Sequence, residues 1–266
     1  MELLSAAAIR RCIVADPGKL IFGADYDQIE LRVIAALAKC KSMIQAAKDG
    51  VSLHLLAANR LFGIDHIPDQ YKLPKNINFT YAFAGGAGVM AERYEISYAQ
   101  GKELIDDYER QFPELKKFKR EQQDRVLRSA LSPVEYRTYK MLVGQLFNFR
   151  TDTPAGRKAR ESVQREINRL CHGKLGWITT KFGRRLPVDA LKAYTAINYE
   201  VQATARDIMG HGLLRVFKDP ELEPTLLLPI HDELIGQGPK RKALHLATRY
   251  GEVMTTEFEG VPITAT

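Results

Sequence analysis

The sequence contains no long apolar run, few cysteines and no repeated or low-complexity segment. Without a stretch of about 18 consecutive apolar residues, it predicts no membrane-spanning helix. Residues 1–8 are too short for a secretory signal peptide and lack its charged start, so we expect a cytoplasmic protein without membrane association. The cysteines are widely spaced and form no CxxC pair, which argues against a cysteine-based zinc or redox centre; they are Cys12, Cys40 and Cys171.

The composition is that of an ordinary globular protein, with 45% hydrophobic and 27% charged residues. No Gly/Ser-rich linker divides the 266 residues, so we expect one continuous domain with a substantial core. Segments that read as strands and helices are mixed without a regular strand–helix–strand rhythm. This mixture predicts an α+β fold with an antiparallel sheet.

Positive charge is concentrated in one quarter of the chain. The net charge is +7, but residues 115–185 carry eighteen Lys or Arg against six Asp or Glu, a local +12, so the remainder carries −5. Such a concentration is typical of a protein that binds a polyanion. The alternative is a solvated basic helix surface.

Carboxylates follow an apolar run near the start of the chain. Residues 20–24 read as a strand that is buried on at least one face, and this strand ends at Asp25. From Gln28 onward, apolar residues recur at the spacing of a helix packed back on the strand. Asp25 would therefore leave the sheet where a carboxylate can reach a metal ion, although Asp at such a turn also serves as a helix N-cap.

A second carboxylate occupies a similar position 207 residues later. Residues 225–230 and 233–235 predict the two strands of a β-hairpin with Asp232 at its tip. If these strands neighbour the first strand in one sheet, Asp25 and Asp232 lie together. Two carboxylates that bridge two divalent ions about 3.5–4 Å apart form a site for phosphoryl transfer, and their hard oxygen atoms suit Mg²⁺.

A predicted helix over residues 75–83 places one cation and two aromatic rings on a single face. Lys75, Phe79 and Phe83 are spaced i, i+4 and i+8. This combination suits a nucleoside triphosphate, because the cation attracts the phosphates and the rings contact the base or the sugar. The alternative is that both rings are core residues and the lysine is solvated.

Five segments, in order, resemble motifs of the family A DNA polymerases, the bacterial polymerase I type, and suggest a phage-like member. Residues 25–32 resemble motif A, residues 75–83 resemble motif B and residues 231–234 resemble motif C. Residues 182–185 and 198–202 resemble further family segments between motifs B and C. The resemblance implies template-directed DNA synthesis in a bacterial or phage-infected cell.

The resemblance also implies a domain organisation for residues 1–266. We expect an antiparallel palm sheet with a helical fingers subdomain, and neither the family's thumb nor its exonuclease domain. The implied segments are the palm at about 12–39 and 173–266, the fingers at about 40–120 and a basic insertion at about 121–172.

The resemblance assigns catalytic roles to residues of motifs A and C. Asp25 and Asp232 would hold two Mg²⁺ ions together with the Tyr26 carbonyl, and Glu233 would support the site. The primer 3′-hydroxyl would attack the α-phosphate of a deoxynucleoside triphosphate, and pyrophosphate would leave.

Further residues are assigned to the nucleotide and to the DNA primer–template. Glu30 is implied as a steric gate that fills the space of a ribose 2′-hydroxyl. The rest of the nucleotide-binding set is Gln28, His54, Lys75, Phe79 and Phe83. The DNA-binding set is Arg32, Lys181, Arg184, Arg185, Asn198, Gln202 and His231.

Four positions depart from the family pattern. Tyr71 stands in place of an arginine, Ala84 in place of a glycine, and Asp27 in place of a small polar residue, where it adds charge beside the metal site. Pro74 falls inside the expected motif B helix and predicts that its first turn is lost or bent.

The sequence leaves three hypotheses. A polymerase subunit or fragment, whose thumb and exonuclease are supplied by a separate chain, accounts for the retained metal and gate residues. A non-catalytic DNA-binding accessory or degenerate remnant accounts for Tyr71, Pro74 and the basic insertion. An unrelated metal-dependent nuclease would explain the carboxylate pair but not the ordered motifs.

Overall fold

The computed structural model describes residues 12–63, 65, 72–82, 85–146, 148–149 and 152–266, with the backbone alone for 72–75. The elements of the first half are β1 (Lys19–Asp25), α1 (Ile29–Leu37), α2 (Lys41–Lys48), α3 (Leu53–Phe62), α4 (Lys72–Ala82), α5 (Ala87–Tyr94), α6 (Tyr98–Gln111) and α7 (Pro113–Ala130). Those of the second half are α8 (Pro133–Leu146), α9 (Pro154–Cys171), β2 (Leu175–Thr179), β3 (Arg185–Asp189), α10 (Ala196–Lys218), β4 (Leu226–Ile230), β5 (Glu233–Pro239), α11 (Ala243–Met254), β6 (Thr256–Phe258) and β7 (Val261–Ile263). A 3₁₀ turn over Ala190–Thr195 leads into α10. None of these helices is long and apolar enough to cross a membrane.

The central sheet confirms that the predicted carboxylate-bearing strands are neighbours. Its order is β1–β5–β4, and both pairs are antiparallel, as expected for the predicted α+β fold. Asp25 lies directly opposite Glu233, so the register brings the preceding residue, Asp232, to the end of β1. Thr266 exchanges backbone hydrogen bonds of 2.8 and 3.0 Å with Asp25 and holds the same strand end from the other side.

The sequence offers Ser52 as a helix cap and residues 97–100 as a capping box, and the structure confirms both helix starts. Ser52 Oγ accepts a hydrogen bond from the Leu55 N–H at the start of α3, and Gly63 ends that helix with a left-handed φ of 65°. Ser97 and Gln100 form a reciprocal capping box at the start of α6. Such caps fix the helix ends because they satisfy backbone groups that have no partner within the helix.

Prolines begin helices where the sequence predicts interruptions. The pattern over residues 129–160 is weak and contains Pro133 and Pro154, and each is the first residue of a helix, α8 and α9. Proline suits this position because its missing N–H would have no partner there and its φ angle is already helical. Residues 142–146, compatible with strand or helix in sequence, belong to α8.

The structure corrects other predicted boundaries. The sequence pattern predicts that the last helix begins at Pro239, but this residue ends β5, and α11 begins at Ala243. Helix α4, which carries motif B, begins at Lys72, three residues before the predicted start, with Pro74 in its first turn. This turn tolerates proline because its N–H groups have no partner within the helix. Helices α2 and α5 have no counterpart in the sequence prediction.

Two clusters of buried side chains form the interior. The larger cluster joins the central sheet to α1 and α10 and includes Ala24 and Leu234. The smaller cluster lies between the end of α7, the helices α8 and α9, and the β2–β3 hairpin, and includes Val126 and Ile178. The predicted insertion at about 121–172 therefore shares a core with β2 and β3, and the predicted boundaries of palm, fingers and insertion stay predictions.

Replacing Gly176 with Ala is expected to destabilise the smaller cluster. A Cβ atom at this position would lie 2.1 Å from the Val126 carbonyl oxygen, which is backbone and cannot rotate away. We expect the free energy of unfolding to fall by about 3 kcal/mol, the upper end for an overpacked site.

Gly144 offers a matched control for this substitution. Nothing lies within 4 Å of its Cβ position, and it lies within α8, where alanine is favoured over glycine by about 0.5–1 kcal/mol. Urea denaturation measures both variants, and equal stability of Gly176→Ala and Gly144→Ala would contradict the close contact.

Candidate active site

The site is built where β1 meets the β4–β5 turn. β1 ends at Asp25, and the turn consists of His231 and Asp232. His231 has a left-handed φ of 56°, and this tight turn presents Asp232 beside the end of β1. The Tyr26 N–H donates to the Asp232 carbonyl oxygen at 3.2 Å and fixes the two backbones to each other. The structure therefore brings together, at one strand end, the four residues with predicted catalytic or metal-binding roles, which are Asp25, Tyr26, Asp232 and Glu233.

The position of Asp25 beside Asp232 alters its ionisation. Burial, followed by the charge of Asp232 and a hydrogen bond to it, raises the pKa of Asp25 from 3.8 to about 6, and Glu233 adds to the effect. His231 Nδ1 lies 2.7 Å from Asp232 Oδ1, and this hydrogen bond raises the pKa of the imidazole. A carboxylate pair in which ionisation of one member opposes that of the other is stabilised by a bound divalent cation.

The donor set fits Mg²⁺ that is bound in part by a substrate. Among the described residues, no group of three or more His, Cys, Asp or Glu side chains is placed to hold an ion alone. Mg²⁺ is commonly held by one or two carboxylates while substrate phosphates and water complete its shell. Asp25 and Asp232 would supply those carboxylates. None of the described backbone hydrogen bonds outside helices and strands uses the Tyr26 carbonyl, which is compatible with its predicted role as a further ligand.

Tyr26 is held in place by its own side chain. The ring is 1% exposed, and the hydroxyl donates to the Met254 carbonyl oxygen at 2.9 Å. Gly212 on α10 leaves the space for this ring, because a Cβ there would lie 2.3 Å from the Tyr26 hydroxyl oxygen. The backbone that carries the candidate metal ligands is therefore fixed by the core.

A cavity of about 360 Å³ opens next to Asp232. Its walls come from α1, α10 and the β4–β5 turn, and its lining residues are Ile29, Glu30, Gln202, Ala205, Arg206, Met209, Pro229, His231 and Asp232. Glu30 is 8% exposed, and its burial raises its pKa. The predicted gate therefore lies in the same cavity as a predicted metal ligand and two predicted DNA contacts, Gln202 and His231.

The predicted nucleotide contacts on α3 and α4 lie side by side. The rings of His54 and Phe79 have centroids 4.9 Å apart, and both side chains are half-buried. The side chain of Gln28 is engaged within the protein: Oε1 accepts from the Leu53 N–H at 3.0 Å, and Nε2 donates to Ser52 Oγ at 3.3 Å. Gln28 thereby ties the start of α3, and with it His54, to motif A.

Several predictions concern residues outside the described part of the chain: the side chain of Lys75, and residues Tyr71, Phe83 and Ala84. Asp27, the remaining departure from the family pattern, is described. Its carboxylate accepts hydrogen bonds from the hydroxyls of Thr264 at 2.8 Å and Thr266 at 3.2 Å. These hydrogen bonds hold Thr264 and Thr266 against motif A.

Two residues of the predicted DNA-binding set have acidic partners. Lys181 Nζ lies 3.3 Å from Glu259 Oε2, and Arg184 Nε lies 3.0 Å from Asp207 Oδ1. The Lys181 and Arg184 side chains are 53% and 50% exposed. The Lys181–Glu259 pair is exposed on both sides and contributes at most about 1 kcal/mol, whereas the Asp207 side chain is only 11% exposed.

The other predicted arginines differ in exposure. The Arg185 guanidinium lies 4.3 Å from the centre of the Trp177 ring and is exposed. Arg32 is 8% exposed; its Nε and Nη1 donate to the carbonyl oxygens of Asp27 and Pro262, both at 2.7 Å. Arg32 thus joins the motif A turn to β7, and its contact with DNA stays a prediction.

Arg206 is a cavity residue that the sequence prediction missed. It is exposed and lies one turn after Gln202 on α10. A signal was present, because Asn198, Gln202 and Arg206 are four residues apart and share a helical face. Asn198 Oδ1 is buried and has no hydrogen-bond partner among the described residues, which leaves a polar acceptor on this helix unsatisfied.

Glu200, also on α10, is a buried acid outside the predicted site. It is 4% exposed, and its Oε2 has no hydrogen-bond partner among the described residues. Burial raises its pKa from 4.5 to about 7, against the opposing charges of Arg125 and Lys181. Near neutral pH a fraction of this side chain is therefore protonated.

The raised pKa predicts a pH-dependent stability. A buried acid with a raised pKa stabilises the fold fully below pH 4.5, and this contribution is lost as the pH rises through about 7. We expect the free energy of unfolding to fall by about 3 kcal/mol across this range, relative to Glu200→Gln. Urea denaturation at several pH values measures the difference, and parallel profiles for the two proteins would contradict the assignment.

Comparison with known proteins decides the family. A model of DNA polymerase family A matches residues 4–144, just over half of the chain. The chain belongs to DNA polymerase family A. This family A chain is 33% identical over 258 residues to the DNA polymerase of Mycobacterium phage D29, covering 96% of the chain and 35% of that relative. It is 27% identical over 270 residues to DNA polymerase I of Chloroflexus aurantiacus, covering 96% of the chain and 24% of that relative.

A solved structure has the same fold as this family A chain. The POL domain of Pol1 from M. smegmatis, in complex with DNA primer-template and dNTP, matches with a TM-score of 0.69 and 21% identity over 100% of this chain and 42% of that one. The family A chain spans about a third or less of the length of the two curated relatives above. The predicted family and the predicted fold class are confirmed, whereas the roles of individual residues stay predictions.

Proposed function

We propose that this chain carries the nucleotide-adding centre of a template-directed DNA polymerase. The observation that carries the proposal is the meeting of Asp25 and Asp232 at the ends of paired strands, beside the cavity that contains Glu30. Membership of family A supports it. A primer 3′-hydroxyl would attack the α-phosphate of a deoxynucleoside triphosphate, forming a phosphodiester bond while pyrophosphate leaves.

Asp25 and Asp232 would hold two Mg²⁺ ions, with the Tyr26 carbonyl as a further ligand. When bound, the ions activate the attacking oxygen and stabilise the charge on the leaving oxygen. The chain fixes these ligands through β1, the tight turn at His231 and the buried Tyr26 ring. Glu233, opposite Asp25 in the sheet, adds negative charge that favours cation binding.

The nucleotide would lie between α1, α3 and α4. Glu30 would contact the sugar at its 2′ side, and the adjacent rings of His54 and Phe79 would contact the triphosphate and the sugar. Lys75 and Phe83 complete the proposed set. Gln28 would affect the nucleotide indirectly, because its hydrogen bonds to Ser52 and Leu53 position helix α3, which carries His54.

The primer–template would lie along the face of α10 that borders the cavity. Gln202 and Arg206 line the cavity together with His231, and Asn198 precedes Gln202 by one helical turn. Phosphates would replace the acidic partners of Lys181 and Arg184, and Arg185 lies on the same hairpin. Because phosphate contacts release counterions, DNA affinity should fall steeply with salt. A separate chain that supplies a thumb and an exonuclease is part of the proposal.

Primer extension on four templates tests this function. The templates differ in the first uncopied base, and each deoxynucleoside triphosphate is supplied alone with Mg²⁺. We expect the chain to add the complementary nucleotide and Asp25→Ala to add none. A wild-type chain that binds the duplex but adds no nucleotide, even with the thumb-bearing part of a related polymerase, would contradict the proposal and support an accessory DNA-binding role.

A further inference from the structure

A second cleft lies where the end of α9 meets the 3₁₀ turn before α10. It has a volume of about 760 Å³, within the range of ligand-binding sites. Its lining residues are Asn168, Arg169, His172, Leu191, Lys192 and Tyr194. None of these residues belongs to the proposed catalytic set, and α9 lies outside the residues 4–144 that the family model matches.

The cleft combines cations with an exposed ring. Arg169 and Lys192 are exposed, and within the described part of the chain neither lies in an ion pair. Tyr194 is 48% exposed and Leu191 is 37% exposed. Unpaired cations beside an exposed aromatic face are the features of single-stranded nucleic acid sites, in which phosphates meet the cations and bases stack on the ring.

The smaller core holds the two walls of the cleft in position. Ile167 and Cys171 of α9 are buried there, together with Ala190 and Ala193 of the 3₁₀ turn. Asp189 Oδ1 accepts a hydrogen bond of 2.9 Å from the N–H at position 191 and caps the turn. The backbone that carries the exposed side chains of the cleft is therefore packed against the smaller core.

The cleft and the catalytic cavity lie at two positions along the same segment of chain. Tyr194 belongs to the 3₁₀ turn that leads into α10, and Gln202 and Arg206 of α10 line the cavity with Asp232. The helical rise gives about 15 Å between the start of α10 at Ala196 and Arg206. A stacked strand covers this distance with about four nucleotides.

We propose that this cleft binds a single-stranded segment of nucleic acid, the uncopied template that extends from the catalytic cavity along α10. Arg169 and Lys192 contact its phosphates, and a base stacks on Tyr194. The identity of the strand as template rests on the proposed polymerase function, whereas the binding itself requires neither metal nor catalysis.

Fluorescence anisotropy without Mg²⁺ tests the cleft. The probes are a labelled primer–template with a ten-nucleotide 5′ template overhang and the matching blunt duplex. We expect wild type to prefer the overhang, and Tyr194→Ala to lose about tenfold in overhang affinity while Tyr194→Phe retains it. Arg169→Ala combined with Lys192→Ala should reduce the slope of log affinity against log salt by about 0.7 per lost contact.

Arg160→Ala is the matched control, because Arg160 is an exposed cation on α9 nine residues before Arg169 and therefore about 180° away on the helix. It should leave the overhang preference unchanged. Equal losses for Arg160→Ala and the double variant, or no preference for the overhang in wild type, would overturn the proposal. Labelled polyglutamate that binds as tightly as the overhang, independently of Tyr194, would overturn it in favour of an acidic protein partner.

Primer extension with the same proteins separates this inference from the proposed function. An overhang preference that depends on the cleft in a chain that never extends a primer would support the binding site and contradict the polymerase assignment. If wild type extends primers normally and the cleft variants bind the overhang as wild type does, the polymerase assignment is supported and the binding site is contradicted.

Discussion

Replacing Asp232 with Asn is expected to reduce primer extension by about 10³-fold or more, because metal ions supply several kcal/mol of transition-state charge stabilisation at such sites. The substitution keeps the size of the side chain and removes its charge. It also relieves the repulsion that raises the pKa of Asp25. We therefore expect the folded protein to be at least as stable without metal, and DNA binding to be retained.

Single-turnover extension and anisotropy of the same preparations measure these effects. Asp106→Asn is the matched control, since Asp106 is a surface carboxylate on α6 that pairs with Lys102. It should extend primers like wild type. Normal extension by Asp232→Asn, or an equal loss in both variants, would contradict the assignment of Asp232 as a metal ligand.

Replacing Glu30 with Ala is expected to increase the use of ribonucleotides relative to deoxynucleotides by about 10²-fold, within the range that contacts to a hydroxyl group provide. Glu30 is 8% exposed and lines the cavity beside Asp232, so its removal opens space where the sugar is proposed to lie. The measurement is the ratio of kcat/KM for matched ribo- and deoxynucleoside triphosphates.

Glu30→Gln distinguishes a steric gate from an electrostatic one. Gln has nearly the same volume and no charge, so a steric gate retains discrimination in this variant and loses it in Glu30→Ala. Loss of discrimination in both would assign the effect to the charge of Glu30. Unchanged discrimination in Glu30→Ala would show that the sugar lies elsewhere.

The central carboxylate pair could be predicted from sequence because its signals are local. Asp25 and Asp232 each follow a short apolar segment that can form a buried strand, and the resemblance to motifs A and C implies that both residues hold the same metal ions. The left-handed turn at His231 was predicted only as a hairpin tip. The pairing of Asp25 with Glu233 then follows from the antiparallel register.

The region around residues 129–172 could not be predicted because a proline in a weak apolar pattern is compatible with both an interruption and the start of a helix. Pro133 and Pro154 occupy first helical positions, which are set by the residues that follow them. The burial of these helices depends on contacts with β2 and β3, far from them in sequence. The weak apolar pattern of this segment therefore gives no indication that its helices belong to the smaller buried cluster.

The partners of polar side chains were also beyond prediction. Arg32 and Gln28 fit the family motif, yet the structure shows the first bonded to Asp27 and Pro262 and the second to the start of α3. Arg206 was missed although it continues the spacing of Gln202. Such partners are set by the tertiary arrangement, because a long polar side chain can reach several neighbours.

The most direct test of the carboxylate centre is a Mn²⁺ titration of wild type and Asp25→Asn, followed by electron paramagnetic resonance of the free ion. Each protein is mixed with primer–template and a deoxynucleoside triphosphate analogue that cannot react, and the nucleotide alone is the reference. We predict that wild type binds Mn²⁺ more tightly than the nucleotide alone, and that Asp25→Asn loses at least about tenfold in affinity. Equal Mn²⁺ affinity for both proteins would contradict the account.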